Sequence, residues 1–193
     1  MLSLLEPTDP SWVQAAEADL DGLLRDHAHC ELKAAQSALG LLGRFGGEAP
    51  EIIEPLVALA REEAQHFEQV HAELAQRGAE LTSPASDPYV QGLRRAARED
   101  HREAPVLLDR LLVCALIEAR SCERFKLLSE RLGSERLRDF YRGLMASEAR
   151  HYGLFRGLAE ARFGALARER LGVLAAREAA VAAHLPLGPT VHG

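Results

Sequence analysis

Cysteine, long apolar runs, proline inside long segments and any surplus of positive charge are all scarce in this chain of 193 residues, and each shortage excludes a class of protein. The three cysteines, Cys30, Cys114 and Cys122, form no Cys-x-x-Cys pair, and bridging two would strand the third, so reduced thiols in a cytoplasmic setting are expected. The longest apolar stretch, Leu111 to Ile117, is far too short to cross a bilayer. Residues 1–10 show no basic region followed by an apolar run, so neither a secretory signal nor a membrane partner is expected. The net charge of −6 advertises no strong field for nucleic acid, although 21 of the 23 cations are arginines and they cluster, which leaves a local basic patch open. Leu20 to Phe45 contains no proline, which favours long helices over a sheet of short strands. The length suits a single domain over 1–193 with a substantial core.

What is present is helical periodicity. Ser11 with Gln14 three residues on has the form of a capping box and predicts a short helix to about Ala18. A long helix then carries Leu20, Leu23, Leu24, His27, Glu31, Ala34, Ala38, Leu41 and Phe45 on one stripe until Gly46-Gly47. A second starts near Pro50, with Ile52, Leu56, Leu59, Glu63, His66, Val70 and Leu74 before Gly78. Residues 79–105 open with turn chemistry and hold a short charged helix over Tyr89–Glu103, making one long crossover. The third long helix, from about Pro105 to Gly133, shows Leu107, Leu111, Cys114, Glu118, Cys122 and Phe125. The fourth, capped by Ser134, shows Leu137, Tyr141, Leu144, Glu148, His151 and Phe155 up to Gly164. A last helix reaches about His184, and the tail 185–193 is expected to be flexible.

Two Glu-x-x-His motifs, Glu63 to His66 and Glu148 to His151, lie 85 residues apart, each preceded by a lone glutamate, Glu31 or Glu118. One Glu from each of two helices plus Glu-x-x-His from each of the other two is the ligand pattern of di-iron and di-manganese carboxylate bundles. Each lone Glu and its partner motif stand about fifteen residues either side of a turn, so at 1.5 Å per residue they are level, roughly 22 Å from it. Four carboxylates and two imidazoles on apolar stripes need compensation, and two divalent cations match the charge of −4. An oxygen-rich, thiolate-free set suits iron, with manganese second, better than structural zinc. The expected fold is an all-α, ferritin-like four-helix bundle with its long crossover between the second and third long helices and short flanking helices.

Blander readings compete at single residues. About one Glu-x-x-His is expected by chance in such a composition, and a third does occur at Glu68 to His71. It is turned roughly 140° from Glu63 and is expected on a solvated face. Glu62 and Glu123 sit off the stripes and read as surface carboxylates. His27, one turn before Glu31, is a candidate to support the site by a hydrogen bond, with pocket lining as the alternative. Tyr141, two turns before Glu148, is a candidate partner for a metal-bound species, with core packing favoured. Cys114 and Cys122 read as small core filler. Arg94, Arg95, Arg98 and Arg102, with Arg136, Arg138, Arg142, Arg150 and Arg156, read mainly as solvated and paired, with a phosphate-binding face as the alternative.

The stretches Asp26-His27-Ala28-His29-Cys30-Glu31, Arg61-Glu62-Glu63 through His66-Phe67, Leu116-Ile117-Glu118-Ala119-Arg120-Ser121-Cys122-Glu123-Arg124-Phe125 and Ser147-Glu148-Ala149-Arg150-His151-Tyr152 resemble the tRNA 2-methylthio-isopentenyl-adenosine hydroxylase family, MiaE. The resemblance implies a nonhaem di-iron monooxygenase that hydroxylates the isopentenyl group of the modified adenosine beside the anticodon. It implies O₂, two external electrons and Glu31, Glu63, His66, Glu118, Glu148 and His151 as iron ligands. No flavin, nicotinamide or cluster motif is visible, so a separate ferredoxin-like donor is expected. The rival readings are peroxide or iron detoxification of the manganese catalase, rubrerythrin or ferritin type, and a metal-free helical adaptor.

Overall fold

The computed structural model describes residues 2–99 and 104–192. All regular structure among them is helical: α1 (Trp12–Ala18), α2 (Leu20–Phe45), a 3₁₀ turn (Pro50–Ile52), α3 (Ile53–Gln76), α4 (Pro88–Glu99), α5 (Val106–Arg131), α6 (Glu135–Phe163) and α7 (Ala165–Ala182). The four long helices expected from periodicity are α2, α3, α5 and α6. The short crossover helix is α4, and its expected last turn, 100–103, lies outside the described residues. Among the described residues no helix is long and apolar enough to cross a membrane.

The chain forms two compact units. The hairpin unit comprises Gln14–Ser86 with Gly188–Val191. Asp19 caps α2 by accepting from the Gly22 N–H at 2.8 Å, and Asp21 and Arg44 stand at the ends that suit the helix dipole. At the turn, a β-carbon on Gly46 would come 2.8 Å from the Leu42 carbonyl oxygen, so glycine is required by close approach. The buried stripe of α2, including Leu23, Leu24, Ala28, Ala38 and Leu41, and that of α3, including Leu56, Leu59, Val70 and Leu74, supply the core. Full burial of each such leucine contributes about 1.5–3 kcal/mol. Two contacts tie in the flanking chain: His29 Nε2 lies 2.7 Å from the Thr82 carbonyl, and the Val191 N–H donates to Asp26 at 2.7 Å.

The larger unit comprises Met1–Val13, Asp87–Leu187 and His192–Gly193. Here α5 is buried on nearly every side, as a central helix must be, and α6 runs back along it from the Ser134 cap. Gly164, at φ +58°, makes the turn into α7, a left-handed conformation that glycine adopts cheaply. Helices α4 and α7 approach closely, since a β-carbon on Gly92 would meet Val181 at 2.8 Å. Charges buried on these elements are paired, as burial demands: Arg170 holds Asp109 at 2.7 Å, and Arg120 holds Glu178 at 2.7 Å. The segment before α1 lies along α5, where Glu123 accepts from both the N–H and the hydroxyl of Thr8. Glu123 is therefore not the surface carboxylate expected, because the N-terminal segment covers it. The tail beyond 185 has no helix, yet His192 is buried, 3.0 Å from Ser121 Oγ and 3.2 Å from Asp87 Oδ2, so this residue is tethered.

Candidate metal centre

None of Glu31, Glu63, His66, Glu118, Glu148 and His151 is more than 5 % exposed. In the hairpin unit, α2 and α3 bring three of them together. His66 Nδ1 lies 3.2 Å from Glu63 Oε2 and 3.6 Å from Glu31 Oε2. The i, i+3 spacing of Glu63 and His66 makes their contact local, whereas Glu31 reaches it from the other arm of the hairpin. His27, fully buried, stands 2.7 Å from Glu31 Oε1, within hydrogen-bond distance. Glu62 is one-third exposed and 3.8 Å from His66 Nε2.

The electrostatics of this triad are those of buried charges compensating one another. Burial alone pushes the Glu31 carboxyl up, but hydrogen bonds from His27 and His66, then the charge of His27, hold it well below the usual carboxylate range. Burial likewise pushes the His66 imidazolium down, and the Glu31 and Glu63 carboxylates overcome it, raising His66 to about 10. Without a metal, a proton on His66 therefore supplies part of the positive charge that two buried carboxylates need.

In the larger unit, α5 contributes Glu118, and α6 contributes Glu148 and His151, whose Oε1 and Nδ1 lie 3.8 Å apart. Cys122, one turn beyond Glu118, points its thiol at the Met145 carbonyl at 3.5 Å. Burial, then the charges of Glu123 and Glu118, raise that thiol to about 11 against the opposing pull of Lys126, which suits inert packing. Tyr141 is fully buried between Phe125 and Phe140, each with its ring centre 5.3 Å away, in the core-packing role favoured for it.

The donor chemistry of each unit is thus two carboxylates and one imidazole, all buried, with no thiolate among them. Such sets fit one divalent iron or manganese per unit, with neutral histidine and ionised glutamate as ligands. Glu68 and His71 of the third Glu-x-x-His are exposed as expected. Three of the six arginines of α6 are paired locally: Arg142 with Asp139, Arg156 with Glu160 and Arg150 with Ser147. Arg95 and Arg98 of α4 are exposed, while Arg102 lies outside the described residues.

A second polar cluster in the larger unit escapes the sequence reading. Arg120 donates to Glu178, Glu123, Thr8 and the Glu6 carbonyl, and the Tyr89 hydroxyl donates to the same Glu178 oxygen at 2.9 Å. Its only sequence signal is a lone Arg and a lone Glu, each on an apolar stretch.

Comparison with known proteins adds four findings. A family model described as tRNA-(MS2IO6A)-hydroxylase (MiaE) matches residues 2–193. A Pseudomonas putida protein named tRNA 2-(methylsulfanyl)-N(6)-isopentenyladenosine(37) hydroxylase is 46% identical over 146 residues, covering 76% of this chain and 69% of that one. A Salmonella typhimurium protein of the same name is 33% identical over 202 residues, covering 80% and 74%. Among solved structures, "Protein 43 with aldehyde deformylating oxygenase activity from Synechococcus" superposes with a TM-score of 0.90 at 43% identity, covering 98% of this chain and 95% of that one. The all-α fold is accordingly of the ferritin-like class.

Proposed function

The chain belongs to the MiaE family of tRNA hydroxylases, and from that membership we propose a nonhaem di-iron monooxygenase that hydroxylates the isopentenyl group of 2-methylthio-isopentenyl-adenosine beside the anticodon of tRNA. The observation that carries the reading is the family match over residues 2–193 together with buried carboxylate and histidine triads in both units. Glu31, Glu63, His66, Glu118, Glu148 and His151 would hold two iron ions. Bound there, iron supplies the activation of O₂ and insertion of one oxygen atom into a C–H bond, with two electrons and two protons reducing the other atom to water.

The chain's own residues prepare that chemistry. His27 fixes the orientation of Glu31 through its hydrogen bond. His66 gives up its proton when a metal takes its place as the positive partner of Glu31 and Glu63. Apolar packing around both triads limits water, which strengthens ligand electrostatics and protects reactive species. With only three separated cysteines and no flavin fingerprint, the electrons come from a separate ferredoxin-like donor. A second reading, aldehyde deformylation, is favoured by the 43% identity to the Synechococcus protein and would use the same ligands.

The test loads the protein with iron under reducing conditions and adds O₂, a donor and tRNA bearing the isopentenyl modification. Mass spectrometry of the nucleosides should show a one-oxygen gain. A competent di-iron protein that leaves the nucleoside unchanged, and instead shortens an aliphatic aldehyde, would replace the first reading with the second.

A further inference from the structure

Away from the ligand face, the larger unit holds a half-open cavity of about 630 Å³. The N-terminal segment roofs it through Leu2, Leu4 and Leu5, and the small side chains Ala119, Ala146 and Ala149 of α5 and α6 leave the space beneath. That roof is pinned at both ends. Ser3 Oγ meets the Tyr152 hydroxyl at 2.6 Å, and Thr8 is held by Glu123 and Arg120.

Helical geometry relates this cavity to the ligands of α5 and α6. At about 100° per residue, Ala119 lies about 100° round α5 from Glu118, and Ala149 about 100° round α6 from Glu148. Cys122 is turned only about 40° from Glu118 and Met145 about 60° from Glu148, so both stand between ligand face and cavity face. Both also line the cavity, and the Cys122 thiol touches the Met145 carbonyl. Lys126 stands at the rim, its ammonium partly exposed and 3.9 Å from Glu130.

Resting on the hydroxylase reading above, we propose that this cavity receives the prenyl-bearing base of the tRNA, splayed out of its loop, with Cys122 and Met145 as the gate toward the Glu118 and Glu148 side. Pockets for small molecules typically span about 300–1,000 Å³, so the volume accommodates a whole modified base and not merely a five-carbon tail. The hydrocarbon lining matches the prenyl and methylthio groups. Lys126 supplies a cation where the flanking phosphate of an extruded nucleotide must pass. Single-stranded loops are commonly read in this way, base first, because unpaired bases unstack at small cost.

The test uses Ala146→Phe, which fills the cavity from an exposed position on α6 and so spares the fold. Ala161→Phe, exposed elsewhere on the same helix, is the control. Free 2-methylthio-N6-isopentenyladenosine is titrated calorimetrically into the iron-loaded full chain. Saturable binding is expected for wild type and Ala161→Phe, and binding at least tenfold weaker for Ala146→Phe, with iron content and visible absorption unchanged in all three. Equal binding by Ala146→Phe, or no saturable binding to wild type, overturns the proposal. Turnover judges the two readings separately. A wild type that hydroxylates tRNA while Ala146→Phe keeps its KM sinks the cavity alone. A wild type that binds the nucleoside yet never oxidises the tRNA sinks the hydroxylase reading alone.

Discussion

His27 Nε2 lies 2.7 Å from Glu31 Oε1, one turn along α2, with His27 fully buried. The pair makes Glu31 an oriented carboxylate instead of a mobile one, because one of its oxygens is already fixed, which suits the ligand role proposed for it. Replacing His27 by Phe should keep the helix and lower iron affinity about 10–100-fold, the usual cost of losing a ligand's supporting hydrogen bond. Competitive titration with a chelator measures it, and circular dichroism checks the fold.

The raised pKa of His66 gives a signed pH effect. A group lifted from 6.5 unfolded to about 10 folded contributes stability that is complete below pH 6.5 and lost as pH rises through about 10. Metal-free protein should therefore melt at progressively lower temperature across that window, and a His66→Gln variant should lose this part of the slope. Iron binding near pH 7.5 should release a proton, visible as a dependence of binding enthalpy on the buffer's ionisation enthalpy. A buffer-independent enthalpy would contradict the assignment.

Arg120→Ala should destabilise the protein by about 3–5 kcal/mol, because it leaves the carboxylate of Glu178, 0 % exposed, without its cation. The double change Arg120→Met with Glu178→Met should recover most of the loss, since a buried ion pair is often replaceable by apolar side chains but not by half of itself. Urea denaturation of the two variants beside the wild type decides it.

Cys122, raised to about 11, should resist iodoacetamide at pH 7.5, whereas the half-buried Cys30 should react first. Peptide mass spectrometry over a time course reads the order. Rapid modification of Cys122 in folded protein would show that its environment is more open than its burial indicates.

If exposed arginines of α4 meet the phosphate backbone, Arg95→Glu with Arg98→Glu should weaken tRNA binding uniformly across substrate tRNAs. The slope of log K against log salt should also shrink, by roughly 0.7–0.9 per lost contact. Filter binding at several salt concentrations gives that slope, and an unchanged value would move the tRNA face elsewhere.

The helices were legible because their stripes repeat faithfully, and α2, α3, α5 and α6 begin and end near the glycines, prolines and serine that mark them. The ligand-type residues were legible for the same reason, as charged residues standing where the repeat calls for apolar ones. Glu123 was misjudged as a surface group because position on a helix says nothing about a segment from elsewhere that covers it. His192, in a tail with no periodicity, gave no warning that Ser121 and Asp87 would hold it.

By itself the sequence determined the direction of each long helix's apolar face and the six glutamate and histidine residues that interrupt it, since a 3.6-residue repeat fixes orientation without reference to any neighbour. Only the tertiary structure decided that Arg120 meets Glu178, 58 positions away, and that Leu2, Leu4, Leu5 and Pro7 roof a cavity. Those contacts join elements whose separate patterns carry no information about one another. They arise when buried charge and hydrocarbon must find partners in the folded unit.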